Sequence, residues 1–234
     1  MQAAALSPID PGARRGLLHA LQALRAIALA LNLYLVSDVV YRDGGYVGDR
    51  PLSVRVLDRL EDRTVMIDSV SKRFSLCGAR IGFMVCRNPN FMAAAVKFAQ
   101  ARLSASTLEM MGVIGALDAP PTYFDEVREE YRRRRDLLVR RLQAMPGVLV
   151  PKIEGAFYAA VRLPIDDADR FAQWLLEEFS HQGQTVMVAP LTGFYTSPGQ
   201  GKDEVRIAYV LNETDLDKAM DCLEVALQIY PGRM

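Results

Sequence analysis

The stretch Ser69–Gly82, SVSKRFSLCGARIG, carries more of the reading than any other part of the chain. Short apolar runs flank it, Thr64–Ile67 before and RIGFMV at Arg80–Val85 after, and each reads as a buried strand. The first run ends at Asp68 and Ser69, so Lys72 falls just beyond a strand, with hydroxyls ahead of it and Arg80 eight residues further on. A loop lysine taken singly is usually a solvated surface group. It is the combination of groups that makes Lys72 a candidate.

Working outward, Leu33–Val36 is another short, continuous apolar run, and it ends in Ser37 and Asp38 as a central strand of a parallel sheet commonly does. Gly16–Leu31 has Leu17, Leu21, Leu24, Ala28 and Leu31 at helical spacing, while Arg42–Pro51 is a loop rich in Gly, Asp and Arg. Downstream, helices are expected over Phe91–Leu103 and Glu109–Leu117. Pro120-Pro121 then precedes the longest one, Tyr123–Met145. Strands alternating with helices define an α/β fold.

Composition changes after Pro146-Gly147. Strands are expected at Val148–Val150, Ala156–Leu163, Thr185–Ala189 and Glu204–Val210, with helices at Asp167–Ser180 and Glu213–Ile229. The reading is therefore of two domains, residues 1–145 including the long connecting helix and residues 146–234.

With 234 residues, half of them apolar, the chain can bury a sizeable core and is not expected to be disordered. Basic and acidic residues balance at 28 each, which gives no electrostatic reason to expect nucleic acid or an anionic membrane as partner. The arginine-rich run in Tyr123–Met145 is offset by Asp125, Glu126, Glu129, Glu130 and Asp136 at helical spacing, the pattern of a solvated, ion-paired face. Cys77, Cys86 and Cys222 lie far apart and only His19 and His181 accompany them, so no zinc site or disulfide framework is expected, and the thiols fit a reducing cytoplasm. The longest apolar stretch, Ala26–Val36, is interrupted by Asn32 and falls short of the ~20 residues that span a bilayer, and Met1–Ala5 lacks the basic start of a signal peptide.

In Ser69, Ser71, Lys72, Ser75, Gly78, Arg80 and Gly82, the chain resembles the class I and II aminotransferases, pyridoxal-phosphate enzymes of fold type I. The resemblance extends to Asp38 and Tyr41 in SDVVYR, to EGAFY at Glu154–Tyr158 and to Arg206 in EVRIAYV, and so runs from the first helix to the last. It implies an α/β fold-type-I architecture, a large cofactor-binding domain followed by a smaller α/β C-terminal one. It also implies transfer of an amino group between an amino acid and a 2-oxo acid.

By the same resemblance, Lys72 binds pyridoxal 5'-phosphate as an imine and then shuttles the substrate α proton, both of which need a reachable, neutral amine. Asp38 keeps the pyridine nitrogen protonated so that the ring can withdraw electrons. Tyr41 bonds the ring oxygen, Ser69 and Arg80 bind the phosphate, and Arg206 clamps the substrate α-carboxylate. Without the resemblance, Asp38 reads as a strand-end turn cap, Tyr41 as an aromatic at a sheet edge, and Arg206 as an outward-facing residue of a half-buried strand.

The family's long N-terminal portion is missing before Gly16, and LSPIDPGARRG at Leu6–Gly16 does not carry the family's Asn-Pro-Thr-Gly turn. Val39 stands where many relatives have Glu. A large-domain sheet truncated in this way exposes strand edges and implies a homodimer or a complementing chain. The alternatives are a non-catalytic remnant, a binding or assembly protein of the same fold, or another pyridoxal-phosphate reaction such as decarboxylation, racemisation or elimination.

Overall fold

The computed structural model describes residues 11–46, 54 and 57–234; the expected loop residues Leu6–Asp10 and Val47–Pro51 lie outside them. The chain divides into two compact units at Glu126/Val127. That division falls inside the long helix, so most of the helix belongs with the C-terminal unit, whereas the sequence reading grouped it with the N-terminal one. The physical reason is the position of its buried residues: Leu137, Leu138 and Leu142 all lie in the C-terminal half.

In the first unit, α1 (Pro11–Ala30) precedes β1 (Leu35–Asp38), β2 (Thr64–Ser69), α2 (Val70–Arg73), β3 (Gly82–Cys86), α3 (Pro89–Arg102) and α4 (Thr107–Leu117). The sheet order is β1-β2-β3, with β1 and β2 parallel and β3 antiparallel to β2. One core cluster joins Leu21 and Ala28 of α1 to Val54, Leu57 and Leu60, with Leu35 and Met66 packed against it. The α1 stripe is narrower than expected, since Leu24 and Leu31 are exposed; Leu17 lies outside the described side chains. Arg25 fastens this helix by donating to the Asp58 carbonyl at 2.9 Å. α3 begins where Asn88 accepts from the Phe91 N–H at 3.0 Å with Pro89 at the first helical position, a standard start signal.

The second unit begins within α5 (Thr122–Ala144) and continues through β4 (Tyr158–Arg162), α6 (Ala168–Glu177), β5 (Ala189–Pro190), β6 (Glu204–Ala208) and α7 (Glu213–Ile229). Its sheet is antiparallel, in the order β4-β6-β5. Val205, Ile207 and Tyr209 are buried, as are Ala159 and Val161 of β4, so one face of this sheet points into the core and alternate residues point out of it. Phe171 and Leu175 of α6 and Leu216, Met220, Leu223 and Leu227 of α7 complete that core.

The expected strand at Val148–Val150 is reduced to a single bridge, Leu149 to Arg162, and the one at Thr185–Ala189 to the two residues of β5. The acidic offset of the arginine run is real: Glu130 pairs with Arg134 at 2.7 Å and with Arg133, and Arg141 pairs with Asp217 and Asp221 of α7. Hydrogen bonding to Arg134 holds the Glu130 carboxyl below its ordinary range. No helix among the described residues is long and apolar enough to cross a membrane.

Tyr230 closes the second core. Its ring meets Phe171 edge-on at 4.9 Å and its hydroxyl donates to Asp166 at 3.0 Å. Burial, reinforced by the Asp166 carboxylate, pushes the phenol up to about 12 from 10.0. A raised pKa means that the fold favours the neutral form, so this contribution is complete below the unfolded value and is lost as pH rises through the folded one. Tyr230→Phe is expected to cost about 1 kcal/mol at neutral pH. Urea unfolding between neutral pH and pH ~12 checks this, and the variant should lose less stability than the parent across the alkaline window.

Candidate active site

Strand direction determines which residues share an end of the first sheet. β1 and β2 run parallel with Asp38 opposite Ile67, so their carboxyl ends lie together, and Ser69 and α2 continue from that end. β3 runs back from the same end, because Gly82 pairs with Ser69, which places Arg80 there as well. Asp38, Ser69, Lys72 and Arg80 therefore gather at one sheet end, and Tyr41 lies in the turn that follows β1. This is the crevice side on which open α/β sheets bind ligands.

Lys72 rides on α2, the single turn that begins immediately after β2. Val70 is buried beneath that turn with Ile81 and Val113, and Phe74, Leu76 and Ala79 pack against this cluster. Ser69 caps the turn: its Oγ accepts from the Ser71 N–H at 3.0 Å, lies 2.8 Å from Ser71 Oγ and donates to the Ile81 carbonyl at 3.0 Å. The Asp68 carboxylate accepts from the Ser69 N–H at 2.8 Å. The lysine thus projects from a short segment fixed by packing on one side and by its cap on the other.

Asp38 is exposed at the end of β1, and its Oδ1 accepts from the Val40 N–H at 3.1 Å, the turn-capping contact expected of a strand-end Asp. Among the described residues that bond engages one oxygen and none is seen at the other. Arg80 departs from expectation. It stands outside the strand, which starts at Gly82, in a left-handed conformation (φ 56°) after the turn Cys77–Ala79. The reason is that β2 ends at Ser69, where the chain turns into α2, so β2 offers no extended partner to residues before Gly82, and the Val70 N–H reaches the Ile81 carbonyl at 3.3 Å. Arg80 is exposed and donates to the Cys77 carbonyl at 3.1 Å, and no carboxylate among the described residues pairs with it. A non-glycine residue at positive φ is a strained arrangement, of the kind that clusters at ligand-binding segments.

An ionic ladder that the sequence reading did not identify borders this end. Arg42, next to Tyr41, pairs with Asp68 at 3.1 Å, and Asp43 lies 3.4 Å from Arg73, next to Lys72. The Arg73 guanidinium also covers the Phe124 ring at 4.8 Å. The only signal in the sequence was the position of these charges, one residue beyond Tyr41 and one beyond Lys72. Their pairing is a tertiary fact.

Arg206 belongs to the second unit. It occupies the middle strand, opposite Ala160 on one side and Ala189 on the other, on the face away from the core. Its guanidinium lies 4.5 Å from the Tyr158 ring and 5.3 Å from the Phe194 ring. The sequence reading took in Tyr158 within EGAFY but gave neither ring a role. Among the described residues no cluster of His, Cys, Asp and Glu could hold a metal ion.

A parallel strand pair, a reversed third strand, and a lysine turn at their common end define an α/β fold of the pyridoxal-phosphate fold-type-I class, and solved structures agree. The aromatic aminotransferase of Pyrococcus horikoshii superposes with a TM-score of 0.74 at 28% identity over 89% of this chain and 54% of its own. The N-succinyldiaminopimelate aminotransferase of Mycobacterium tuberculosis does so with a TM-score of 0.75 at 28% identity over 88% and 53%. Among curated proteins, the aspartate aminotransferase of Bacillus subtilis is 30% identical over 92% of this chain and 54% of its own length. The profile of aminotransferase class I and II matches residues 16–223, and the chain belongs to that family. It spans about half the length of the curated relatives it matches.

Proposed function

We propose that this chain carries the lysine-bearing part of a pyridoxal-phosphate-dependent aminotransferase, which moves an amino group between an amino acid and a 2-oxo acid. The observation that carries the reading is the gathering of Asp38, Lys72, Ser69 and Arg80 at one end of the β1-β2-β3 sheet. The donor set suits the cofactor chemically: a primary amine for its aldehyde, a carboxylate for its ring nitrogen, and a guanidinium that meets no acidic partner among the described residues for its phosphate.

On this reading Lys72 anchors pyridoxal 5'-phosphate covalently and carries a proton from the substrate α carbon. Asp38 keeps a proton on the ring nitrogen, Tyr41 donates to the ring oxygen, and Ser69 and Arg80 hold the phosphate. Arg206 pairs with the substrate α-carboxylate through its planar fork. When bound, the cofactor supplies the electron withdrawal that makes the α carbon acidic. Residues 1–145 then correspond to the large cofactor-binding domain and the helix that connects it, whose C-terminal half packs in one unit with the small domain, residues 146–234.

A homodimer or complementing chain fits the apolar side chains that the first unit leaves open, among them Val36, Val85, Phe98 and Ile114. The free thiols Cys77, Cys86 and Cys222 fit work in the cytoplasm. Several relatives bear the name aspartate aminotransferase, which makes aspartate with 2-oxoglutarate the first substrate pair to try.

The test is to give the purified full chain pyridoxal phosphate, aspartate and 2-oxoglutarate and to measure glutamate. Glutamate formation that depends on the cofactor supports the proposal. Cofactor binding with no glutamate from any amino acid tried would favour a binding remnant instead.

A further inference from the structure

We infer that Tyr158 and Phe194 are positioning residues for Arg206, gripping its guanidinium between two rings so that its N–H edge stays open for a carboxylate; this rests on the reading of Arg206 as the carboxylate clamp.

The geometry is that of paired cation–π contacts. Ring centroids at 4.5 and 5.3 Å from the guanidinium carbon come from two different elements, β4 and the turn Thr192–Phe194 that follows β5. Both fall within the ~6 Å reach of such contacts. Rings attract the guanidinium through its faces, whereas a carboxylate pairs along its edge, so the two interactions do not compete. The residues opposite Arg206 on the flanking strands are Ala160 and Ala189, whose methyl groups leave lateral room.

The charges around Arg206 point the same way. Several other arginines of this unit have acidic partners, Arg133 with Glu213, Arg134 with Glu130, Arg141 with Asp217, Arg162 with Asp203 and Arg170 with Asp166, so carboxylates are at hand on this unit. No carboxylate among the described residues pairs with Arg206. Its natural competitor is Glu204, two residues along β6 and so on the same face of the strand. That carboxylate instead accepts from the Tyr195 hydroxyl, and Asp203 is taken by Arg162. The turn after β5 thus does two things: Phe194 covers Arg206, and Tyr195 draws away the acid that would neutralise it. An arginine held in this way has already lost much of its rotamer freedom, which lowers the cost of binding an anion.

The experiment uses the full chain labelled with nitrogen-15 arginine, with the Arg206 Nε–H resonance identified by its loss in Arg206→Lys. Ring currents should place it upfield of the other arginines, and pyruvate, a simple 2-oxo acid, should move it on titration. Phe194→Leu should return the resonance toward the common position and weaken pyruvate binding about tenfold. Tyr158→Phe, which keeps the ring, should leave both unchanged. Tyr195→Phe should weaken pyruvate binding by freeing Glu204, and Tyr195→Phe/Glu204→Gln should restore it, a rescue that a merely structural role would not produce. An unshifted Arg206 resonance, or no effect of Phe194→Leu on either readout, overturns the positioning role and leaves the clamp intact. Pyruvate binding that survives unchanged in Arg206→Lys overturns the clamp itself, and the inference with it.

Discussion

Lys72→Ala is expected to lower cofactor-dependent amino transfer by about 10⁴-fold while leaving the fold in place, since one substitution removes both the nucleophile and the proton carrier. The contacts that hold the turn should persist. Lys72 is only half-buried, and the turn it rides on is held by Val70 below and by the Ser69 cap, neither of which involves the lysine side chain. Alanine is also the best helix former. Urea midpoints should therefore agree between parent and variant within the error of the measurement, and the comparison isolates chemistry from folding. Lys72→Arg should be as inactive, because a guanidinium is always charged and cannot serve as the amine. An active Lys72→Ala protein would remove the lysine from the mechanism.

The largest effect on stability is expected from Phe171→Ala. Phe171 is fully buried in the second unit, stacked on Trp174 at 6.2 Å and edge-on to Tyr230 at 4.9 Å. Removing such a ring forfeits its burial and leaves a cavity that neighbouring rings fill only in part, for a loss of about 3–5 kcal/mol. Against a typical total of roughly 5–15 kcal/mol, that is enough to populate the unfolded state measurably. Denaturant unfolding checks the value through a lower midpoint at unchanged slope. Phe98→Ala is the control: with 79% of that side chain exposed, its substitution should shift stability of the isolated chain by no more than about 0.5 kcal/mol.

Much of this architecture was legible in the chain. Leu33–Val36 and Thr64–Ile67 are continuous apolar runs ending in Ser and Asp, and they became the parallel pair β1 and β2 with their ends moved by two residues at most. But β1, expected to be a buried central strand, is an edge strand with Val36 exposed, because nothing among the described residues pairs with its other side. Arg80–Val85 was less legible, because composition cannot show that the partner strand turns into a helix at Val70 and leaves Arg80 in a left-handed turn before the strand. Val148–Val150 has strand-like residues but finds only one bridging partner, Arg162, and pairing depends on the partner as much as on propensity.

The same division holds at the candidate site. Asp38, Ser69, Lys72 and Arg80 were readable from their place in a motif, whereas the Arg42–Asp68 and Asp43–Arg73 contacts were not, since each joins residues that only the fold brings together. Arg206 shows how two readings can both hold. Its strand alternates as a half-buried strand should, and the outward direction that this gives Arg206 is also what a group meant to meet a ligand requires.

The central claim is that Lys72 is the covalent anchor of pyridoxal phosphate, and the most direct measurement is borohydride reduction of the full chain with the cofactor, followed by peptide mass mapping. The account predicts one cofactor per chain, on the peptide containing Lys72, with Lys97, Lys152, Lys202 and Lys218 unmodified. No adduct, or label spread among the other lysines while Lys72 stays free, would contradict it.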